Sequence, residues 1–179
     1  HQAEKLRFLI DALVKTSRLE SGVLAMTPKR HGIQQLLDAA SAQAAPGAEA
    51  KAITLTVEPT DLTARFDPKW TAEALYNLVD NAVKYTPAGG AVTLRAVGYE
   101  LFCRVDVTDT GPGIPESEQA RIFQRFYRSP SASEAEGVGI GLYLARQIAA
   151  GQGGYLKVSS RPGEGSTFSL FLPRAEERT

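Results

Sequence analysis

Apolar positions at the start of the chain recur at three- and four-residue steps. They are Leu6, Leu9, Ile10, Leu13 and Val14, with the small Ser17 continuing the row and Glu4, Arg7, Asp11, Lys15 and Arg18 opposite. The spacing predicts one amphipathic helix from residue 1 to about residue 22, with Gly22 as its stop. Such a stripe needs cover from the rest of the domain, from a preceding helix outside this sequence, or from a second copy. Residues 33–45 read as an alanine-rich helix anchored by Leu36 and Leu37 and ended by Pro46-Gly47. The period then changes to two: Ile53, Leu55 and Val57 alternate with threonines as a strand, and 62–66 is a shorter one. Asp67-Pro68 opens the next helix, because aspartate caps and proline suits the first turn. It runs to about Tyr85 and breaks at Thr86-Pro87-Ala88-Gly89-Gly90. Strands at 92–97 and 102–107 form a hairpin around Gly98-Tyr99-Glu100, and residues 115–126 a short helix. Residues 129–137, small and acidic, read as a surface loop. A helix at 140–150 ends at Gly151, two strands at 155–159 and 167–172 flank the turn 161–165, and 174–179 is a charged tail.

Strands that arrive in pairs, rather than alternating singly with helices, favour an α+β two-layer sandwich over a doubly wound parallel sheet. The 179 residues suffice for one domain and an appendage. Lys+Arg and Asp+Glu are balanced at 20 each, which gives no basis for nucleic-acid or polybasic membrane binding. Cys103 stands alone, so an intrachain disulfide and a CxxC metal site are excluded; inside a strand, it reads as a buried thiol. No apolar run approaches the ~20 residues that span a bilayer. The chain opens on His1 without a methionine and reads as part of a longer protein, in which a membrane segment stays open.

Four segments carry candidate chemistry. On the helix 70–85, Leu75, Leu78, Val79 and Ala82 form the apolar stripe, while Glu73, Asn77 and Asn81 line another face that Lys84 and Tyr85 continue. Asparagine is a mediocre helix former, so two of them mid-helix ask for a reason. Amide oxygens in line suit Mg²⁺, and a lysine one turn on reaches a phosphate; a solvated polar face is the plain alternative. Asp109-Thr110-Gly111-Pro112-Gly113-Ile114-Pro115 follows a strand, where an aspartate accepts from a purine amino group or merely caps a tight turn. Gly137-Val138-Gly139-Ile140-Gly141-Leu142 opens a helix with exposed N–H groups suited to phosphate, or is a loop hinge. Its spacing is neither the dinucleotide fingerprint nor a Walker A loop. Gly163-Glu164-Gly165-Ser166-Thr167-Phe168 is a turn into the last strand.

Taken together, in this order, and with Ile122-Phe123-Gln124-Arg125-Phe126-Tyr127-Arg128 between, these segments resemble the N, G1, F, G2 and G3 boxes of the histidine-kinase catalytic domain. That domain belongs with gyrase, the Hsp90 chaperones and MutL. The resemblance spans roughly residues 27–173 and implies a Bergerat-type sandwich: a mixed, mainly antiparallel sheet against about three helices. Residues 1–26 resemble the second helix of a dimerisation and phosphotransfer hairpin, and 174–179 form a tail. The phosphoacceptor histidine then lies on a hairpin helix outside this sequence, since His1 and His31 lack its sequence context.

The resemblance implies ATP and Mg²⁺ as cofactors. Asn81 matches the metal-ligating asparagine, and Asn77 a second nucleotide-site asparagine, where the ATPase branch has a glutamate. An amide is no general base, so phosphotransfer is favoured over hydrolysis, with Asn77 and Lys84 as catalytic candidates and Glu73 as support for the acceptor side. Lys84 and Tyr85 match phosphate and nucleotide contacts. Asp109 matches the adenine reader, with Gly111, Gly113 and Ile114 shaping the pocket. Gly137, Val138, Gly139, Ile140, Gly141 and Leu142 match the lid, although the family often has a smaller or hydroxylated residue at Val138. Thr167 is expected at the adenine end opposite Asp109, and Phe123 and Phe126 in the core beneath the lid. Arg125 and Arg128 face the γ-phosphate, the hairpin or solvent. The implied partners are a response regulator and a second copy joined through the hairpins, in the cytoplasm, without nucleic acid or direct membrane contact. The competing functions are an ATP-hydrolysing relative of the chaperone or topoisomerase kind, a nucleotide-regulated docking module, and a serine kinase of the anti-sigma type.

Overall fold

The computed structural model describes residues 2–21, 25–127 and 139–174. Its elements are α1 (Gln2–Glu20), β1 (Lys29–Gly32), α2 (Ile33–Ala50), β2 (Thr54–Val57), β3 (Thr63–Phe66), α3 (Pro68–Tyr85), β4 (Ala91–Gly98), β5 (Phe102–Asp109), α4 (Glu116–Gln119), α5 (Gly141–Gly151), β6 (Tyr155–Ser160) and β7 (Ser166–Pro173). Five strands form one sheet in the order β2-β4-β5-β7-β6, with β2 parallel to β4 and the other pairs antiparallel. Helices α2, α3 and α5 pack side by side against it. The mixed, mainly antiparallel sandwich expected from the sequence is therefore the architecture found. Among the described residues, no helix is long and apolar enough to cross a membrane.

Strand periodicity decides which face is dry. Cys103, Val105, Val107 and Asp109 of β5 and Ser166, Phe168, Leu170 and Leu172 of β7 all point inward and are buried. They meet Leu75, Leu78 and Val79 of α3 and Leu144 and Ile148 of α5 in one core. Burial pushes the Cys103 thiol up to about 11, against a smaller pull from Arg174, so it is an inert packing residue.

Helix α3 begins because Asp67 accepts hydrogen bonds from the Lys69 and Trp70 N–H groups, with Pro68 in the first turn. It ends because Thr86, preceding Pro87, is extended at φ −83°, ψ 127°. Asp67 Oδ2 also takes the Thr27 N–H, which ties the linker after α1 to the start of α3. Burial works against the Asp67 charge, but the bonds from Thr27, Trp70 and Lys69 hold its carboxyl below the usual carboxylate value. A lowered folded pKa gives stability that is present above the unfolded value of about 3.9 and lost as pH falls through the folded one. Asp67→Ala is thus expected to cost about 1–2 kcal/mol at pH 7, measured by urea unfolding, and less at pH 2–3, where the wild type has lost the same bonds.

Three sequence expectations need correction, and one open choice is narrowed. Pro46-Gly47 does not end α2; the helix runs through Pro46 to Ala50. A proline inside a helix removes one hydrogen bond, but the seam of Leu37, Ala40, Ala44 and Ala48 against α3 continues across it. The chain turns instead at Ala52, at φ 54°. The strands β2 and β3 are not a hairpin: β3 pairs with β1, an element the apolar pattern of Lys29-Arg30-His31-Gly32 gives no sign of. The helix expected over 115–126 is the single turn α4, followed by turns that lead to Phe126 at φ 64°. Lastly, α1 lays Ala12 and Thr16 toward the domain, while Leu6, Ile10, Leu13 and Val14, together with Phe8, stay exposed. The rest of the domain is therefore not what covers that stripe. The expected stop Gly22, the loop 129–137 and most of the tail lie outside the described residues.

Candidate functional site

Two ends of the sandwich come together around the polar face of α3. Asn77 and Asn81 lie there, half-buried, one turn apart. The Asn77 side-chain N–H donates to the Gly141 carbonyl at 3.3 Å, joining α3 to the first residue of α5. That bond uses one of the two side-chain N–H groups, so the second N–H and the amide oxygen of Asn77 remain for a ligand. Gly141 itself has no positive φ, and a Cβ there would meet nothing closer than Asn77, at 3.7 Å. Protein crowding thus does not require that glycine; keeping the space above Asn77 open does. Lys84 extends the same face but is held by Asp80 at 2.9 Å. Glu73, one turn before Asn77, is engaged by Lys15 of α1 at 2.6 Å.

Asp109 closes the other side. It ends β5 with its carboxylate buried, and Oδ1 accepts the Gly111 N–H at 2.9 Å and the Ser166 N–H at 3.2 Å. Oδ2 takes no hydrogen bond within the described residues and is not sealed from solvent. Burial pushes the carboxyl above its usual value, opposed by the Gly111 and Ser166 bonds. Gly113 is dictated by the fold, since it sits at φ 76° and a Cβ would lie 2.1 Å from the Arg161 carbonyl oxygen. Ile114 is anchored through its N–H to Ser160 Oγ and packs against the core. Thr167 does not join Asp109. It faces outward on β7, where its hydroxyl meets that of Thr108 at 3.0 Å, and Ser166 is the residue paired with Asp109.

Near the opening of α5, Ile140 is buried, so only its backbone is available to a ligand, while Leu142 is half-buried against the core. Gly139 sits at φ 72° with the Phe126 N–H on its carbonyl. Gly137, Val138 and Arg128 lie outside the described residues. Phe123 is buried edge-on to Phe168, whereas Phe126 is exposed rather than in the core. Arg125 binds Glu20 of α1 and the Tyr143 hydroxyl, so of its expected roles the structure places it at the hairpin-like helix.

Residues 66–176 match the family model described as histidine kinase-, DNA gyrase B-, and HSP90-like ATPase. The chain belongs to this family. Over 175 residues it is 35% identical to an adaptive-response sensory kinase SasA of a Synechococcus species, covering 96% of this chain and 46% of that protein. It is 36% identical over 177 residues to the sensor protein DivL of Caulobacter vibrioides, covering 98% of this chain and 22% of DivL. The chain thus spans less than half the length of these relatives. Among solved structures, full-length ShkA in complex with AMPPNP superposes with a TM-score of 0.84 at 28% identity, over 97% of this chain and 37% of that one. The mycobacterial sensor histidine kinase MprB gives 0.72 at 26%, over 84% of this chain and all of that one.

Within this ATPase family member, the donor set fits a nucleotide with its metal. Among the described residues, no three His, Cys, Asp or Glu side chains gather as a metal cage. The side-chain oxygens of Asn77 and Asn81 are what this face could offer a hard cation such as Mg²⁺, an ion that commonly keeps phosphate and water in its shell. Three supporting residues were not among the expected site residues. The Lys51 ammonium caps the Val83 and Lys84 carbonyls at 2.9 Å each, fixing the end of α3. Gln152 ties α5 to the start of α3, and Ser166 flanks Asp109. Of these, Ser166 alone was within reach of sequence, through the parity of its strand.

Proposed function

We propose that this chain is the nucleotide-binding catalytic portion of a two-component sensor histidine kinase. It holds ATP with Mg²⁺ and presents the γ-phosphoryl group to a histidine on a hairpin helix outside this sequence. Residues 1–26 belong to that hairpin, 27–173 to the catalytic domain and 174–179 to a tail. The observation that carries this reading is Asn77, whose amide is fixed on Gly141 at the opening of α5. A hydrolase needs a proton acceptor beside the phosphates, and an amide has none. The two carboxylates that flank Asn77 on α3 are both paired, Glu73 with Lys15 and Asp80 with Lys84. What remains is positioning and charge compensation, which is what phosphoryl transfer asks of a protein.

In this scheme Asn81 and Asn77 supply oxygens for the metal, which when bound offsets the negative charge of the phosphates. Lys84 exchanges Asp80 for a phosphate oxygen, and Tyr85 lines the nucleotide. Asp109 accepts from the adenine amino group, and the backbone from Gly137 through Leu142 wraps the triphosphate. The outward placement of Thr167 assigns its expected position to Ser166. A response-regulator aspartate receives the phosphate next, and two copies associate through their completed hairpins in the cytoplasm. The expected outcome is that this chain binds ATP with Mg²⁺ but does not label itself from γ-labelled ATP. It labels the histidine of a two-helix hairpin supplied in trans. Steady release of inorganic phosphate at a comparable rate without the hairpin would overturn the proposal in favour of a hydrolase.

A further inference from the structure

Thr86 is fully buried, and its hydroxyl is the one buried side-chain polar atom among the described residues that lacks a hydrogen-bond partner. Buried hydroxyls are normally paired, so an orphan has a reason. Thr86 is fixed at the end of α3 by its N–H on the Ala82 carbonyl, and its methyl group occupies the space beside Gly90. The hydroxyl is left on the side of Gly111. A side chain at Gly111 would project between Asp109 Oδ1 at 2.9 Å, the Tyr85 carbonyl oxygen at 3.2 Å and Thr86 Oγ1 at 3.6 Å. Gly111 has no positive φ, so its backbone does not demand glycine; the convergence of those three oxygens does. Two of them only accept, and the third donates one proton. A buried water typically makes about three hydrogen bonds, and one beside Gly111 would have the carboxylate and the carbonyl to donate to and the Thr86 hydroxyl to accept from.

We propose that Thr86 is a positioning residue for purine recognition. Through a water held beside Gly111, its hydroxyl fixes the Asp109 carboxylate so that Oδ2 faces the 6-amino group of adenine. This rests on the adenine-nucleotide reading of the site above. Valine has the shape of threonine without the hydroxyl. Thr86→Val is expected to leave the thermal midpoint of the nucleotide-free chain nearly unchanged, because the hydroxyl's single water-mediated bond and the cost of burying that hydroxyl are lost together. Its affinity for Mg²⁺-ATP should fall about 10-fold, with weak ITP binding unchanged, since inosine presents an oxygen rather than an amino group to Asp109. Thr86→Ser should restore the preference for ATP. Thr86→Ala, which also removes the hydroxyl and leaves Gly111 and Asp109 untouched, should show the same ATP-specific loss, and it serves as the test should the valine variant not fold. A Thr86→Val chain with wild-type ATP over ITP preference overturns the proposal, as does an equal loss for both nucleotides with a lowered midpoint. Asp109→Asn separates the two levels. If it too keeps wild-type ATP affinity, the adenine reading itself has failed; if it alone weakens binding, only the role of Thr86 has.

Discussion

Asp109→Asn is expected to weaken ATP binding on the order of 100-fold while leaving the fold at least as stable at pH 7. Oδ1 already takes two backbone N–H groups, which leaves Oδ2 as the atom that accepts from a purine. An asparagine that keeps those two bonds must turn its NH₂ toward the purine amino group, setting donor against donor. A hydrogen bond to a charged group is worth about 1.5–3 kcal/mol, and an unpaired buried donor adds to the loss. Stability moves the other way, because burial pushes the Asp109 carboxyl above its usual value. A raised folded pKa gives stability that is full below the unfolded value and lost as pH rises through the folded one, so the ionised carboxylate is a burden on the fold at neutral pH. Titration calorimetry with a non-hydrolysable ATP analogue, alongside urea unfolding, checks both signs. Wild-type affinity should also fall on acidification at a pH above the ordinary carboxylate range, a limb that the asparagine variant lacks.

The second large effect is structural. Gln152 is buried at the end of α5; its amide oxygen accepts the Asp67 N–H, and its amide nitrogen donates to the Thr71 hydroxyl at 2.8 Å. Gln152→Leu strands an N–H at the cap of α3 and a buried hydroxyl, each costing about 1–3 kcal/mol, and the expected loss is about 3 kcal/mol. Most marginally stable domains keep only about 5–15 kcal/mol, so the urea midpoint should drop sharply at an unchanged slope. Adding Thr71→Val removes one of the stranded groups and should recover about 1 kcal/mol. Additive losses in the double variant would show that the two side chains do not act as a unit.

The elements legible in the sequence were those whose signals are local. The Asp67-Pro68 cap, the stripe of α3 and the alternation of β4, β5 and β7 are each written within a few residues. What was not legible depends on distant partners. Pro46 reads as a terminator, and only the alanine seam on α3 carries the helix past it. The pairing of β1 with β3, and of β2 with β4, is set by the ends of α2 and α3 rather than by strand composition. Thr167 was misplaced for a different reason. Phe168, Leu170 and Leu172 alternate inward, so position 166 shares their face and 167 cannot. That parity was present in the sequence, and the motif obscured it. Gln152, in a run of glycines, carries no pattern at all; its importance arises only once α5 lies beside α3.

The junction between α1 and the domain differs in kind from the seam between α3 and α5. The buried part of α1 is two small side chains, Ala12 and Thr16, with Leu19 partly buried against the core, and its long-range polar contacts are the bridge Lys15–Glu73 and those of Glu20 with Arg125 and the Tyr143 hydroxyl, whose side chains are partly exposed. Charges open to solvent are screened over about 8 Å at physiological ionic strength, whereas apolar burial is not. Raising the salt concentration therefore loosens this joint while the sandwich keeps its shape. Helix α1 is thus joined to the domain in part by contacts that ions can weaken, while the order of the sandwich rests on contacts they leave alone.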